Sequence, residues 1–111
     1  MNPKFNLWIE INGQVALSVW RVKLLEAIAQ TGSISAGAEK VGVPYRIAWQ
    51  KIHEMEERLG EKLVETQTGG KEGGGTTLTP LALEYIGKFN QFNQEAQAYL
   101  QKRYQETFGE M

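Results

Sequence analysis

A chain of 111 residues has room for one domain with a modest core. Its hydrophobic fraction of 41% and charged fraction of 23% are those of a water-soluble globular protein, and the absence of cysteine excludes disulfides and thiolate metal sites. A net charge of −1 excludes a uniformly basic surface, so any positive face has to be local.

In chain order, Phe5 to Ile11 alternates, with Phe5, Leu7, Ile9 and Ile11 on one face. Asn12-Gly13 supplies the two positive-φ positions of a type I′ turn, and Gln14 to Leu17 returns as the second strand of a hairpin over 5–17. Ser18 caps a first helix from Val19 to about Gln30, where Val22, Leu25, Ile28 and Ala29 recur at helical spacing. Gly32 stops it. Ser33 or Ser35 caps a second helix, whose Ala36, Gly37 and Ala38 permit close packing. Gly42 ends that helix in the left-handed conformation that glycine takes without strain.

Pro44 suits the first turn of a third helix, 44–59, whose apolar stripe is Ala48, Ile52, Met55 and Leu59. After Gly60, Leu63 to Thr66 and Thr76 to Leu78 form short strands around a glycine-rich tip. Thr79 as cap and Pro80 as first helical residue open a last helix reaching about Tyr104, roughly 35–40 Å long. One face of it carries Leu81, Tyr85, Phe89, Phe92, Ala96 and Tyr99, and another carries Leu83 and Ile86. A helix with two apolar faces needs two partners, and the second is most simply the same helix of another chain. No run nears the roughly 20 apolar residues that cross a bilayer, and MNPKFNLWIEING has no signal-peptide pattern, so a cytoplasmic protein without a membrane role is expected.

The chemistry concentrates between Gly32 and Gly60, two helices joined by a tight turn at Val41-Gly42-Val43. The second presents Tyr45, Arg46, Trp49, Gln50 and His53 away from its apolar stripe, as a helix-turn-helix does to reach a DNA major groove. Arg46 has the paired donors that fit guanine O6 and N7, against the plainer role of a solvated arginine, and Gln50 can pair with adenine. Ser33 or Ser35 either holds a phosphate at the start of the second helix or simply caps it. Tyr45 and Trp49 suit contact with sugar, thymine methyl or phosphate; Trp49 alternatively wedges against the core edge. His53 is a phosphate contact or plain surface, and with only Glu57 beside it no metal site is expected.

Lys71 is the phosphate contact expected at the wing tip, weakened by Glu72. Together with Lys40, Arg46 and Lys51 it supplies the local positive charge. The glycine run is no P-loop, because Glu65 and Glu72 stand where that pattern needs Gly and Ser or Thr. With no aspartate, no cysteine and one histidine on the reading face, neither an enzyme nor a cofactor is expected.

With those residues in view, the chain resembles the N-terminal DNA-binding domain of the molybdate-responsive ModE regulators, and more loosely that of LysR-type regulators. The likeness rests on the leading hairpin, LLEAIAQTGSIS-GA at Leu24 to Ala38, Gly42 to Trp49, and TGGKEGGGTTLT at Thr68 to Thr79, spanning about Phe5 to Tyr99. It implies a mainly α fold with small β elements (α+β): a winged helix-turn-helix in 1–79, with hairpin 5–17, helix-turn-helix 33–60 and wing 63–79, and a dimerisation helix in 80–111 of the same domain. It also implies a homodimeric transcriptional regulator that binds double-stranded DNA at a palindromic operator. ModE carries its molybdate sites in a separate C-terminal region, so direct molybdate binding is not expected within Met1 to Met111. The competing expectation is a winged-helix interaction module that dimerises with a related regulator without gripping DNA.

Overall fold

Asn12 and Gly13 both take positive φ, 53° and 79°, and the chain reverses there. The hairpin so formed opens a computed structural model with the order β1 (Trp8–Ile11), β2 (Gln14–Ser18), α1 (Val19–Thr31), α2 (Ile34–Val41), α3 (Tyr45–Leu59), β3 (Val64–Gln67), β4 (Gly75–Leu78) and α4 (Pro80–Phe108). It describes residues 1–67 and 75–111, so the expected wing-tip residues Lys71 and Glu72 lie outside the described residues. The strands form two separate antiparallel pairs, β1 with β2 and β3 with β4. The fold is the expected one, mainly helical with a leading hairpin, a helix-turn-helix, a β3–β4 wing and a long last helix.

Several boundaries differ from expectation for identifiable reasons. β1 begins at Trp8 rather than Phe5, because its partner β2 runs only to Ser18, opposite Trp8, before entering α1. Phe5 therefore lies outside the pairing and is exposed. A bulge at Ile9/Glu10 skips Ala16, and Ala16 and Leu17 are both buried. Ser18 caps α1 by accepting from the Arg21 amide at 3.2 Å. α1 extends to Thr31, whose hydroxyl donates to the Ala27 carbonyl at 2.7 Å. Ala29, expected on the apolar stripe, is exposed; Leu24 takes a core place instead. Pairing in the wing starts at Val64; the Leu63 amide is bound by Glu56 and its carbonyl accepts from the Thr79 amide at 2.9 Å.

α4 runs four residues beyond Tyr104, where Tyr104 stacks on Phe108 and Arg103 pairs with Glu106. Its 29 residues make a helix of about 43 Å. The two apolar faces divide differently from expectation: Ala82 and Phe89 are buried, with Tyr85 and Ile86 packed beside them, while Leu83, Phe92 and Tyr99 are exposed. Phe89, expected in a seam between chains, thus belongs to the chain's own core.

That core gathers Leu24, Leu25 and Ile28 of α1, Ile34 and Ala38 of α2, Ala48, Ile52 and Met55 of α3, and Leu63 beside the wing. Leu59, the last residue of the expected α3 stripe, is half-buried at its margin. α1 and α2 are in tight contact at Gly37, where an added Cβ would lie 2.7 Å from Ile28 Cγ1 and 3.1 Å from the Ile28 amide nitrogen. Gly37→Ala gains about 1 kcal/mol of helix propensity. Overpacking a filled contact costs about 1–3 kcal/mol, and two of the three near atoms are backbone, so the steric term wins. Denaturant unfolding of Gly37→Ala should show a net loss of about 1 kcal/mol; a gain in stability would mean that α1 and α2 can part freely.

Candidate nucleic-acid interface

α2 starts at Ser33, not Ser35: the Ser33 hydroxyl accepts from the Ala36 amide at 2.9 Å, and Ser35 lies exposed in the first turn. At the other end Gly42 takes φ 78°, and its amide reaches the Ala38 and Glu39 carbonyls. Val43 adds a bond to the Ala38 carbonyl at 3.0 Å, and the chain turns into α3. Pro44 is not a helical residue, as the sequence suggests, but the cap itself. Its ψ of 148° is extended, while its carbonyl accepts from Ile47 and Ala48.

Ala48, Ile52 and Met55 hold α3 to the core. The opposite face offers Tyr45, Arg46, Trp49 and Gln50, all exposed, with His53 half-buried at its flank. Arg46 has no hydrogen bond or ion pair among the described residues. Gln50 donates to Glu54 at 3.3 Å. Trp49 is 46% exposed, so it does not wedge into the core; it stacks on His53 with ring centroids 3.8 Å apart and planes at 24°. Nδ1 of His53 lies 2.8 Å from the Trp49 carbonyl oxygen, which can only accept, so that nitrogen carries the proton.

The wing stands beside this helix through three ties. Glu56 accepts from the Leu63 and Val64 amides at 2.8 and 3.2 Å. Thr76 donates its amide to the Gly32 carbonyl at 2.8 Å, joining β4 to the start of α2. Thr79 caps α4 through Ala82 and donates its hydroxyl to the Lys62 carbonyl at 2.9 Å. An open groove of about 920 Å³ results between α3, the start of α2 and the wing. Ser33, Ser35, Tyr45, Trp49 and His53 line it, with Glu56, Lys62 and Glu65 as its charged residues. Arg46 and Gln50 stand outside the groove on the outer face of α3. Five of the eight expected contact residues are therefore brought together in one groove, Arg46 and Gln50 are exposed on the same helix beside it, and the eighth, Lys71, lies outside the described residues.

A charge cluster that the sequence reading missed sits behind this surface. Arg21 of α1 is buried and donates to the Lys51 carbonyl at 3.3 Å and to Glu54 at 3.1 Å. Glu54 also faces Lys51 at 3.5 Å and Arg58 at 3.6 Å, and Arg58 donates to the Val15 carbonyl of β2 at 2.7 Å. The available signal was Arg21 itself, which shares the i, i+3, i+4, i+7 spacing of Leu24, Leu25 and Ile28. Two of the expected local cations are engaged, Lys51 with Glu54 and Lys40 with Gln30. Among the described residues no group of three metal-ligating side chains occurs and no helix is long and apolar enough to cross a membrane.

Residues 20–83 match the family model described as "Bacterial regulatory helix-turn-helix protein, lysR family". The "Molybdenum transport protein ModE" of Herbaspirillum seropedicae is 41% identical over 85 residues, which are 77% of this chain and 31% of that protein. The "DNA-binding transcriptional dual regulator ModE" of Escherichia coli is 40% identical over 79 residues, 71% of this chain and 30% of that protein. The chain thus spans about a third of the length of the curated relatives it matches. Among solved structures, the CbnR DBD–DNA complex matches with a TM-score of 0.61 at 18% identity, covering 82% of this chain and 99% of that one. The BenM DBD with catB site 1 DNA matches with a TM-score of 0.57 at 21% identity, covering 79% and 94%.

Burial pushes the Glu54 carboxyl up, but the Arg21 hydrogen bond and the charges of Lys51, Arg21 and Arg58 outweigh it and hold it below 4.5. A depressed folded-state value means that the stabilisation is complete above 4.5 and is lost as pH falls through the folded value. Glu54→Gln should therefore cost about 1–2 kcal/mol at pH 7. Chemical denaturation across pH should show that deficit shrinking below 4.5; a deficit independent of pH would mean that the carboxylate charge contributes nothing.

Proposed function

The chain belongs to the lysR family of bacterial regulatory helix-turn-helix proteins, and we propose that it is a sequence-specific DNA-binding transcriptional regulator acting as a homodimer. The observation that carries this reading is the outer face of α3, where Arg46, without an ion pair among the described residues, and Gln50 stand exposed opposite a fully buried stripe. Solvated side chains need no such company, whereas a groove-reading helix needs donors on its free face, a capped helix start beside it and a wing to straddle the backbone. Arg46 donates in parallel to guanine O6 and N7, and Gln50, turned from Glu54, pairs with adenine. Ser33 and Ser35 bring a phosphate to the start of α2, where Ser33 already serves as cap. Lys71 reaches the backbone from the wing.

Residues 1–79 form the DNA-binding part and 80–111 the dimerising helix of one domain. With Phe89 committed to the core, the seam runs along Leu81, Tyr85, Phe92, Ala96 and Tyr99, of which Phe92 and Tyr99 are 51% and 64% exposed. Two-fold symmetry in the dimer calls for a palindromic operator with half-sites about 34 Å apart. Direct molybdate binding is not part of the proposal, because the matched region is only the N-terminal part of the ModE relatives.

Selection from a random duplex library should enrich an inverted repeat, and Arg46→Ala should weaken binding to it by about 1–3 kcal/mol. Affinity should fall steeply with salt. Binding indifferent to sequence, salt and Arg46 would support an interaction module instead. Tyr99→Glu should shift sedimentation from dimer to monomer; an unchanged dimer would place the seam elsewhere.

A further inference from the structure

Tyr45 and Trp49 are large aromatics left 53% and 46% exposed on the reading helix, four residues apart and lining the same groove. Exposed aromatic surface of this kind beside a binding face is apolar area waiting for a cover. Phosphate, which the proposed complex places at Ser33 and Ser35 on another edge of the groove, is a poor candidate for covering the two rings themselves. The charged residues lining the groove are two carboxylates, Glu56 and Glu65, and one ammonium, Lys62, so the described lining is net negative. One Glu56 oxygen is occupied by the wing amides, which holds that charge in place.

His53 removes the freedom that an exposed indole would otherwise have. Its ring covers one face of Trp49 at 3.8 Å, and its Nδ1–H is tied to the carbonyl of the same residue. With that stack in place Trp49 is still 46% exposed, so part of the indole stays open. Arg46 and Gln50 each follow one of the aromatics in sequence, so base edges within reach of those donors bring neighbouring bases to the ledge. In the major groove the apolar group a base can offer is the 5-methyl of thymine.

We propose that the Tyr45–Trp49 ledge reads thymine through its 5-methyl group, and that His53 is a positioning residue which pins the indole for that contact. The proposal rests on the reading of α3 as the major-groove helix and names what a further pair of its side chains recognises. Deoxyribose offers apolar surface too, but carries no base identity, so the two are separable by chemistry.

The test uses the 111-residue chain and its selected duplex, with each thymine replaced in turn by deoxyuridine, which removes the methyl and keeps the base pair. One or two positions in each half-site should bind about three- to fivefold more weakly as uracil. Trp49→Leu should abolish that ratio at the same positions, and His53→Ala should reduce it, with circular dichroism reporting that both remain folded. Equal affinity for thymine and uracil at every position, with the Arg46-dependent preference intact, would overturn the ledge alone. A ratio unchanged in Trp49→Leu would overturn it as well, and one unchanged in His53→Ala would remove His53 from it. Loss of any sequence preference in the unmodified chain would overturn both this inference and the reading beneath it.

Discussion

Arg21 crosses from α1 to α3 and binds twice there, to the Lys51 carbonyl and to the Glu54 carboxylate. The rest of the molecule's outer geometry hangs on that crossing. Apolar packing between α1 and α3 is non-directional, and Ile28, Ile52 and Met55 would tolerate small rotations of one helix on the other. A guanidinium holding two acceptors on one helix does not. A cluster of this kind is weak evidence for net stability, since desolvation cancels much of its attraction. Its effect is orientation: α3 presents Arg46, Trp49 and Gln50 outward at one rotation about its axis. The same cluster reaches the hairpin through Arg58 and Val15, so β2 is registered on α3 as well.

The wing depends on polar ties in the same way. β3 and β4 form a two-stranded ribbon, a unit of marginal stability by itself. Glu56 at its root, Gly32 beside Thr76 and Thr79 at the start of α4 convert it into a fixed wall of the groove. Each of these bonds gives a backbone amide or carbonyl at the root of the wing a partner. The groove is therefore bounded by rigid elements on the sides that matter for the proposed contacts.

Net charge misleads for this protein. A chain with 12 basic and 13 acidic side chains presents an outer face of α3 where Arg46 has no ion pair among the described residues, while Glu54 is paired with three cations. Local pairing, not the total, decides which charges face outward. On the wing side the balance reverses, because among the described residues Glu56 and Glu65 share the groove with one lysine, Lys62. In the proposed complex the two sides of α3 therefore meet different surfaces of the DNA, polar base edges on one and uncharged apolar groups on the other.

Local signals made much of the fold legible. Asn12-Gly13, Ser18, Gly42 and Thr79-Pro80 act through backbone conformation and capping within four residues, so the sequence by itself determined the hairpin turn, the starts of α1 and α4 and the turn before α3. Spacing likewise determined that Ala48, Ile52 and Met55 face inward and that Arg46 and Gln50 face out. Only the tertiary structure decided that Phe89 joins the core while Phe92 stays exposed, because both lie on the apolar side of α4 and the neighbour that covers one of them comes from elsewhere in the chain. The buried Arg21 and the Glu56 tie were decided there too. Their partners are set by distances between helices and strands, and no spacing along a chain encodes those distances.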